Sequence, residues 1–425
     1  MSAAPLAGDV LALGGVPLDR AFAALRRLEP GAHACWCYDL DALEARARRF
    51  QSAFAPLEPL TAYALKANAL PALLERLRHL GVGAEAGSIG ELEAAAACGF
   101  APPMQVLNGN GRTLEEAVWA AREGVHSINA DTVDELDLLE RCAAVPGRPV
   151  RVALRVNPGV RTPGHAYVAT GHEHAKFGMA PADALAAWAA RARWPHLTLD
   201  GVHVHVGSQL LDPAPLEAAL ACALELVDEV ARRGASLGLV NMGGGFGIDY
   251  AAGRAEFPLE AWAARLGERA RGRGLAWVLE PGRWMVAPVG VLLAEVLWVR
   301  ERDGRRFVVL GAGMNDLLRP ALYGAIHRIV PVRARAGAPS PATVVGPVCE
   351  SADVFREDVA LPPLAPGDLV AILDAGAYGA SMASNYNGRG RLAELVAGGG
   401  TLMRARAGET AADLAARTRS DTLEP

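Results

Sequence analysis

The chain has 425 residues, of which 51% are hydrophobic and 21% charged, and its formal net charge is -5. This length predicts roughly two to three domains of a globular protein with a large core. The acidic balance and the absence of a long basic run argue against nucleic acid or an anionic membrane as partner and favour a small soluble substrate. No apolar run reaches the about 20 residues of a membrane span, and Met1–Asp9 lacks signal-peptide order, so we expect a cytoplasmic protein.

An amphipathic helix is predicted at about Leu18–Leu28, followed by a strand at Ala34–Tyr38 and a helix that ends near Phe54. Cys35 and Cys37 fall in this strand, in which successive residues point to opposite faces, and no disulfide framework or metal site is expected. From residue 60 onward, apolar strands alternate with helices. The eight strand candidates are Leu60–Leu65, Val82–Ala86, Met104–Leu107, His126–Ile128, Val150–Val156, Gly201–Val206, Leu237–Met242 and Ala276–Leu279.

Three helices are predicted to open with a capping box, at Ser88, Thr113 and Thr132, each followed by a glutamate three residues later. Eight strands alternating with helices over about 220 residues predict a (β/α)8 TIM-type barrel rather than an open doubly wound sheet. After residue 285 the pattern changes to β-runs with turn signals, which predicts a second, all-β domain. The runs are Gly290–Val299, Phe307–Leu310, Thr343–Val345 and Asp368–Leu373, and Pro339–Ala342 is predicted to be an exposed connection.

The predicted domains are a barrel over 34–285, a β-sandwich or barrel-like domain over 286–407 to which 1–33 contribute, and a tail over 408–425. In a TIM-type barrel the chemistry lies where the carboxyl ends of the strands meet the loops. Polar residues occur at most of these predicted ends, which makes them the candidate site. They are Lys66, Glu85, Asn108, Arg155 with Asn157, His205 with Ser208, Asn241, and Glu280 with Arg283.

Lys66 ends the apolar strand that begins at Leu60. An ammonium among apolar neighbours is desolvated, its pKa falls, and its nucleophilic form becomes accessible, as in lysines that form Schiff bases. The alternative is that Lys66 extends to solvent at the strand end.

The glycines Gly243, Gly244 and Gly245 follow the seventh strand, where barrels commonly bind phosphate. Glycine runs also form plain turns. A phosphate loop together with a lysine that forms Schiff bases nevertheless implies pyridoxal 5'-phosphate as the cofactor. Glu280, at the eighth strand, could hold the pyridine nitrogen protonated, whereas the alternative is a salt bridge within its own motif.

His203 and His205 are predicted to lie on one face of the sixth strand, and His205 could stack on the pyridine ring. A single histidine is more often a satisfied core residue. Two histidines separated by one residue could bind a metal, but no third ligand has a suitable spacing, so a zinc site is rejected.

Several longer motifs resemble those of the fold-type III pyridoxal-phosphate decarboxylases, and within that family they are most similar to the diaminopimelate decarboxylases. The resemblance extends from about Cys37 to Arg391 and implies an alanine racemase-like barrel with a second all-β domain. The motifs that carry it are Tyr63-Ala64-Leu65-Lys66-Ala67-Asn68, Arg155-Val156-Asn157-Pro158-Gly159, His205-Val206-Gly207-Ser208-Gln209, Gly243-Gly244-Gly245-Phe246-Gly247, Glu280-Pro281-Gly282-Arg283, Met314 to Tyr323, Cys349-Glu350-Ser351, Gly376-Ala377-Tyr378-Gly379 and Ser384-Asn385-Tyr386-Asn387.

The resemblance implies that Lys66 holds the cofactor covalently, that His205 stacks on its ring and that Glu280 binds its pyridine nitrogen. The implied phosphate ligands are Ser208, the loop with Gly244 and Gly245, Gly282, Arg283 and Tyr378. It also implies a homodimer in which Cys349 and Glu350 come from the partner, with Cys349 as the proton donor. The implied substrate residues are Arg283, Arg319, Tyr323, Glu350 and Tyr378.

The implied reaction is decarboxylation of meso-2,6-diaminopimelate to L-lysine. The substrate carboxylate that is remote from the reaction would suit Arg319. A sibling decarboxylase for ornithine, lysine, arginine or a specialised amino acid is the alternative, and a non-catalytic cofactor-binding homologue is a further one. Three departures from the family pattern weaken the assignment of the substrate. They are Ala352 in place of a common glycine, the altered segment Thr162–Gly171, and Gly390 in place of a frequent proline.

Overall fold

A computed structural model describes residues 6–7, 10–144, 149–160, 176–250, 253 and 255–417. They fall into two compact units, a barrel unit within Glu44–Asp249 and Arg254–Met285, and a second unit within Met1–Leu43, Tyr250–Gly253 and Val286–Pro425. Among the described residues, no helix combines the length and the apolar character needed to cross a membrane. The first elements are β1 (Leu6–Ala7), β2 (Val10–Leu13), β3 (Val16–Pro17), α1 (Leu18–Leu28), β4 (Ala34–Asp39) and α2 (Leu40–Phe54).

The barrel unit contains eight parallel strands that alternate with helices, and the barrel is closed because the last of these strands pairs with the first. In chain order the elements are β5 (Leu60–Ala64), α3 (Pro71–His79), β6 (Gly83–Ala86), α4 (Ile89–Ala97), β7 (Gln105–Leu107), α5 (Leu114–Glu123), β8 (Ser127–Ala130), α6 (Val133–Ala143), β9 (Val150–Arg155), α7 (Pro181–Ala189), β10 (Leu197–His203), α8 (Ala214–Arg232), β11 (Leu239–Asn241), α9 (Leu259–Ala270) and β12 (Ala276–Leu279). The predicted TIM-type barrel is therefore confirmed.

Small and branched apolar side chains fill the interior of the barrel. A buried cluster of side chains from five of the eight strands packs there, with Leu60 against it: Ala62, Val106, Ala153, Leu239 and Val278. Layers of this kind make a barrel interior a packed core rather than a pore, so polar side chains are accommodated at its ends.

The predicted capping boxes are complete in one case of three. At α5, the Thr113 side chain accepts from the backbone N–H of Glu116, and the Glu116 carboxylate accepts from that of Thr113. Ser88 and Thr132 also cap their helices, but Glu91 and Glu135 accept from the residue before the cap, Gly87 and Asp131 respectively. In these two helices the side chain of the cap residue still accepts from a first-turn amide, and the glutamate reaches one residue further back than in a capping box.

The second unit is built on a nine-stranded sheet, and β4 is one of its central strands. Its further elements are α10 (Arg283–Val286) at the junction in sequence, then β13 (Gly290–Arg302), β14 (Arg305–Leu310), α11 (Arg319–Tyr323), β15 (Ile329–Pro331), β16 (Ser340–Val345), β17 (Val354–Leu361), β18 (Leu369–Ile372), β19 (Glu394–Gly398), β20 (Thr401–Arg406) and α12 (Ala411–Ala416). The prediction that the second domain consists mainly of β-strands is confirmed. The expected exposed connection at Pro339–Ala342 is wrong in part, because β16 starts at Ser340.

The strand at Ala34–Tyr38, which the sequence placed at the start of the barrel domain, belongs to this sheet instead. It pairs antiparallel with β13 and parallel with β19. All six residues of β4 are buried, a pattern that predicts a central strand without indicating its partners. Cys35 and Cys37 lie on the same face, as residues two apart in a strand must, and their Sγ atoms form a hydrogen bond at 3.7 Å without a disulfide.

Candidate active site

Polar side chains from seven strands meet at the carboxyl end of the barrel. Glu85 and Asn129 lie within β6 and β8, Asn241 ends β11, and Asn108 and Glu280 follow β7 and β12 directly. All five are at least nine-tenths buried. Lys66 lies in a single 3-10 turn, Leu65–Ala67, directly after β5, and His203 is the last residue of β10. The strand ends thus bring together most of the polar set that the sequence singled out.

Lys66 is paired with a carboxylate rather than surrounded by apolar groups. Its Nζ donates to Glu85 Oε2 at 2.9 Å, and its side chain is 51% exposed whereas that of Glu85 is 1% exposed. Of the two interpretations of Lys66, desolvation is therefore wrong, and extension to solvent at the strand end is the one that the structure shows. The apolar strand ends at Ala64, and the following turn directs the lysine side chain out of the packed interior.

Glu280 is the acceptor at the centre of a side-chain network. Its Oε1 atom accepts from the amide nitrogens of Asn241, Asn108 and Asn129 at 2.7, 3.0 and 3.3 Å. Asn108 also donates to Glu85 Oε1 at 2.8 Å, which joins Glu280 to the carboxylate that holds Lys66. Burial, together with repulsion from Glu85, raises the pKa of Glu280 to about 7.

The two histidines differ in their surroundings, and both are neutral. The Nδ1 atom of His205 accepts from the backbone N–H of Gly244 at 3.1 Å, so its ring proton is on Nε2. Burial, with the charges of Arg155 and Lys66, lowers the pKa of His205 to about 3. His203 is 1% exposed, its Nε2 lies 3.7 Å from Glu280 Oε2, and burial lowers its pKa well below the usual range.

The glycine loop after β11 has no room for side chains. A Cβ on Gly244 would lie 2.2 Å from the carbonyl oxygen of Glu280, and one on Gly245 would lie 2.6 Å from that of Gly207. Gly245 also has a φ of +98°, which side chains rarely permit. Two further residues predicted to bind phosphate meet at 3.0 Å, where Arg283 Nη2 donates to Ser208 Oγ. Gly282 is buried and directly precedes α10.

The remaining predicted site residues lie in the second unit. Arg319 and Tyr323 are at the two ends of α11, and Arg319 is 5% exposed whereas Tyr323 is half-buried. Cys349 and Glu350 are exposed, and the Glu350 carboxylate accepts from the Tyr386 hydroxyl at 3.3 Å. Tyr378 has a φ of +55°, an unusual conformation for a non-glycine residue.

A buried aspartate holds the loop that carries Cys349 and Glu350. Asp353 accepts from the backbone N–H of Val348 and of Met314, both at 2.7 Å, and so joins this loop to the segment before α11. Its neighbour Ala352 is not among the residues with positive φ, so the backbone accepts a side chain where the family commonly has glycine.

The other two departures from the family pattern have different outcomes. At Gly390 a Cβ would lie 2.0 Å from the Glu409 carbonyl oxygen, so this backbone suits glycine rather than the proline that is frequent in the family. The segment Thr162–Gly171 lies outside the described residues.

Sequence reasoning missed Asn129, because it ended the fourth strand at Ile128 whereas β8 continues to Ala130. Extending that strand by one residue would have added an asparagine to the polar set at the strand ends. It also missed the buried residues Asp353 and His327. Each contacts one residue nearby in sequence and one on a distant segment, so no local pattern signals them.

The residues at this end of the barrel fit pyridoxal phosphate. They offer one accessible amine, a backbone cradle that any Cβ would fill, a serine and an arginine beside each other, and a buried carboxyl group that could face a ring nitrogen. Lys66, His205, Ser208, the glycine loop, Glu280 and Arg283 are the barrel residues that could hold it.

Comparison with known proteins gives a consistent result. Residues 40–287 match the model of the family described as "Pyridoxal-dependent decarboxylase, pyridoxal binding domain". A diaminopimelate decarboxylase of Zymomonas mobilis is 39% identical, over 86% of this chain and 87% of that protein. A crystal structure of diaminopimelate decarboxylase from Helicobacter pylori complexed with L-lysine has a TM-score of 0.87 at 35% identity, over 92% of this chain and 97% of the other.

A crystal structure of diaminopimelate decarboxylase from M. jannaschii has a TM-score of 0.91 at 31% identity, over 99% of this chain and 98% of the other. These relatives and the family model each cover more than half of the chain, and the residues that match the family model include Lys66, the glycine loop and Glu280. The chain therefore belongs to the family of pyridoxal-dependent decarboxylases.

Proposed function

We propose that the protein catalyses the pyridoxal phosphate-dependent decarboxylation of meso-2,6-diaminopimelate to L-lysine and carbon dioxide. The observation that carries the reaction type is Glu280, a buried carboxyl group held by three asparagine amides. A carboxylate fixed in this way can keep a pyridine nitrogen protonated. The substrate is supported by the relatives, which are diaminopimelate decarboxylases, one of them crystallised with L-lysine.

Bound pyridoxal phosphate supplies an electron sink for the electron pair that remains when the carboxyl group leaves. Lys66 would hold the cofactor covalently, and Glu85 keeps the lysine amine at the rim of the barrel. The neutral ring of His205 would stack on the cofactor. Its Nδ1 is engaged by the Gly244 amide, which fixes the ring orientation.

The phosphate would be bound by Ser208, the glycine loop of Gly244 and Gly245, Gly282 and Arg283, with Tyr378 as a further ligand. In the loop the donor would be the Gly245 amide, because the Gly244 amide donates to His205. Arg283 and Ser208 share a hydrogen bond, which keeps a positive charge and a hydroxyl donor together for the phosphate. This arrangement uses backbone donors that cost no reorganisation when the anion binds.

Recognition of the substrate would rest on Arg283 of the barrel unit and on four residues of the second unit. Arg319 would bind the carboxylate remote from the reaction, Glu350 the remote ammonium, and Tyr323, Tyr378 and Arg283 would complete the site. A guanidinium suits a carboxylate because it can donate two parallel hydrogen bonds. Ornithine and lysine decarboxylases have no such carboxylate to bind, so Arg319 favours diaminopimelate.

We further propose a cytoplasmic homodimer in which Cys349 and Glu350 act in the partner's site. Cys349 is exposed, as a residue that completes a neighbouring site would be, and its thiol would protonate the carbon that loses the carboxyl group. We expect a small soluble substrate and no nucleic acid or anionic membrane as partner, because a net charge of -5 disfavours binding to either polyanion.

A substrate panel tests the assignment. Purified protein with added pyridoxal phosphate should release carbon dioxide from meso-diaminopimelate at least about 100-fold faster than from L-ornithine, L-lysine or L-arginine, as judged by kcat/KM. Faster turnover of one of the other amino acids would establish the sibling decarboxylase instead. No turnover of any amino acid, with cofactor bound, would establish a non-catalytic homologue.

The position of the cofactor can be mapped on this chain without ambiguity, because the sequence contains two lysines, Lys66 and Lys176. Borohydride reduction of the loaded protein should fix the cofactor on the peptide that contains Lys66. Lys66→Ala should lose the cofactor absorbance and more than about 1,000-fold in kcat, whereas Lys176→Ala should keep the absorbance. Labelling of Lys176 would refute the role of Lys66.

A further inference from the structure

Arg319 is surrounded by groups that fix its guanidinium. His327 Nε2 lies 2.7 Å from Arg319 Nη1, and the ring of Tyr250 lies under the guanidinium carbon at 4.5 Å. The rings of Tyr250 and His327 meet edge to face, with their centroids 5.1 Å apart. Arg319 is 5% and His327 1% exposed. An arginine held on an edge and on a face has few orientations left.

The two contacts of the His327 ring fix its proton. The Leu373 carbonyl oxygen lies 2.9 Å from Nδ1, and a carbonyl can only accept, so Nδ1 carries the hydrogen. A guanidinium can only donate, so Nε2 must be the unprotonated acceptor for Arg319. Both hydrogen bonds therefore require the neutral ring with its proton on Nδ1.

The backbone of His327 is anchored as well. Its carbonyl oxygen accepts from Arg356 Nη1 at 3.2 Å, and the following residue, Arg328, donates through Nη2 to Asp374 at 2.7 Å. The ring therefore projects from a backbone segment that is itself tied down at two points. A fixed acceptor is what an arginine needs if its other N–H groups are to point in one direction.

We propose that His327 is a positioning residue for substrate recognition: it takes up one N–H of Arg319 and thereby directs the remaining donors of the guanidinium at the remote carboxylate of the substrate. This inference rests on the proposed function, in which Arg319 binds that carboxylate. His327 acts through Arg319 and does not touch the reacting atoms. The neutral ring suits this task because a charged ring would repel the guanidinium.

Two ligands separate recognition of the carboxylate from all other binding. The product L-lysine keeps the remote carboxylate of diaminopimelate, whereas cadaverine is the same diamine without it. Inhibition constants of both, measured against turnover of meso-diaminopimelate by the holoenzyme, therefore isolate the contribution of Arg319. In the wild type, L-lysine should bind more tightly than cadaverine, because only L-lysine can accept from the guanidinium.

His327→Gln and His327→Met form a matched pair of variants. Their side chains have similar length and volume, and both lose the hydrogen bond to Leu373, but only glutamine offers an acceptor to Arg319. His327→Met should raise the inhibition constant of L-lysine about tenfold relative to His327→Gln, while that of cadaverine differs by less than about twofold between the variants. The KM of meso-diaminopimelate should follow L-lysine, with kcat within about threefold.

Several outcomes would overturn the inference. Equal inhibition by L-lysine in the two variants would show that the acceptor is not needed, and equal weakening of L-lysine and cadaverine would show a merely structural role. If the matched pair does not fold, His327→Asn replaces it, because asparagine keeps the donor to Leu373 but cannot reach Arg319. This variant should weaken the binding of L-lysine while leaving that of cadaverine nearly unchanged. If it instead keeps the wild-type preference for L-lysine over cadaverine, the inference is refuted. A wild type that neither turns over meso-diaminopimelate nor prefers L-lysine to cadaverine overturns the proposed function instead.

Discussion

In the barrel, Glu280 is held by the side chains of Asn108, Asn129 and Asn241, whereas in the second unit Asp353 is held by backbone amides of Met314 and Val348. The barrel network comes from strand ends, whose positions are fixed by the ladder of hydrogen bonds between strands. The contacts of Asp353 come from loops, which have no ladder of their own. A carboxylate that accepts from two loops supplies the missing constraint.

This difference separates two tasks. In the barrel, where the backbone is already fixed, side chains adjust the charge and protonation of one another. In the second unit, buried acids at Asp316 and Asp353 fix the backbone that carries the proposed substrate residues. Substitutions in the barrel network should therefore change chemistry with little change in stability, and substitutions of the loop acids should change both.

Among the substitutions that test this comparison, the largest effect is expected for Glu280→Gln. The amide oxygen of glutamine can still accept from the three asparagines, so the melting temperature should stay within a few degrees. The negative charge is lost, and kcat should fall on the order of 100-fold because the electron sink weakens. Steady-state kinetics and thermal unfolding of the holoenzyme measure the two effects.

Glu91→Gln is the matched control, since Glu91 is a partly buried acid at the same end of the barrel and accepts from Gly87. Its kcat should stay within about threefold of the wild type. A similar loss of kcat in both variants would mean that the loss does not depend on the position of Glu280. The task assigned to the barrel network would then be refuted.

Asp353→Asn should have an intermediate effect on both properties. An asparagine can accept only one of the two backbone hydrogen bonds and turns its NH2 group towards the other donor, at a cost of about 1–3 kcal/mol. Because the same loop carries Cys349, kcat should fall as well. The exposed Asp358→Asn, at a position of positive φ that asparagine tolerates, should leave stability and kcat unchanged. Loss of stability in Asp353→Asn at full kcat would break the link between the loop and the chemistry.

The smallest effect is expected for the pH dependence of stability due to Asp316. Burial raises the pKa of Asp316 to about 7, so the folded protein binds this proton more tightly than the unfolded chain, and the free energy of unfolding falls as pH rises from about 4 to about 7. Between pH 6 and pH 8 the wild type should lose about 1 kcal/mol relative to Asp316→Asn, as measured by denaturant unfolding at both pH values. If the free energy of unfolding changes equally with pH in the wild type and in Asp316→Asn, the raised pKa of Asp316 is contradicted.

The barrel was predictable from the sequence because its strands are short apolar runs that alternate regularly with capped helices. Lys66 and Glu280 were predictable because parallel strands place their carboxyl ends on one side of a barrel, and the glycine loop was predictable as a local sequence pattern. These inferences need only local patterns and the geometry of one fold. Family membership agrees with them.

Other features depend on contacts between distant segments and could not be predicted. The partners of β4 are β13 and β19, far along the chain, and a fully buried strand carries no mark of its neighbours. The exposure of Lys66 depends on where the strand stops, one residue earlier than predicted. The contact between His327 and Arg319 depends on the shape of the segment between them, which no periodicity encodes.

The scarcity and exposure of lysine have a practical consequence. Lys66 and Lys176 are both exposed, and no other lysine competes with them for a reagent. Reagents and solid supports that couple to lysine side chains would therefore attach at Lys66 or Lys176, and so in part at the group on which the chemistry is proposed to depend. Loading the cofactor before coupling would act as a protecting group, and would direct a label, a tether or a surface to Lys176.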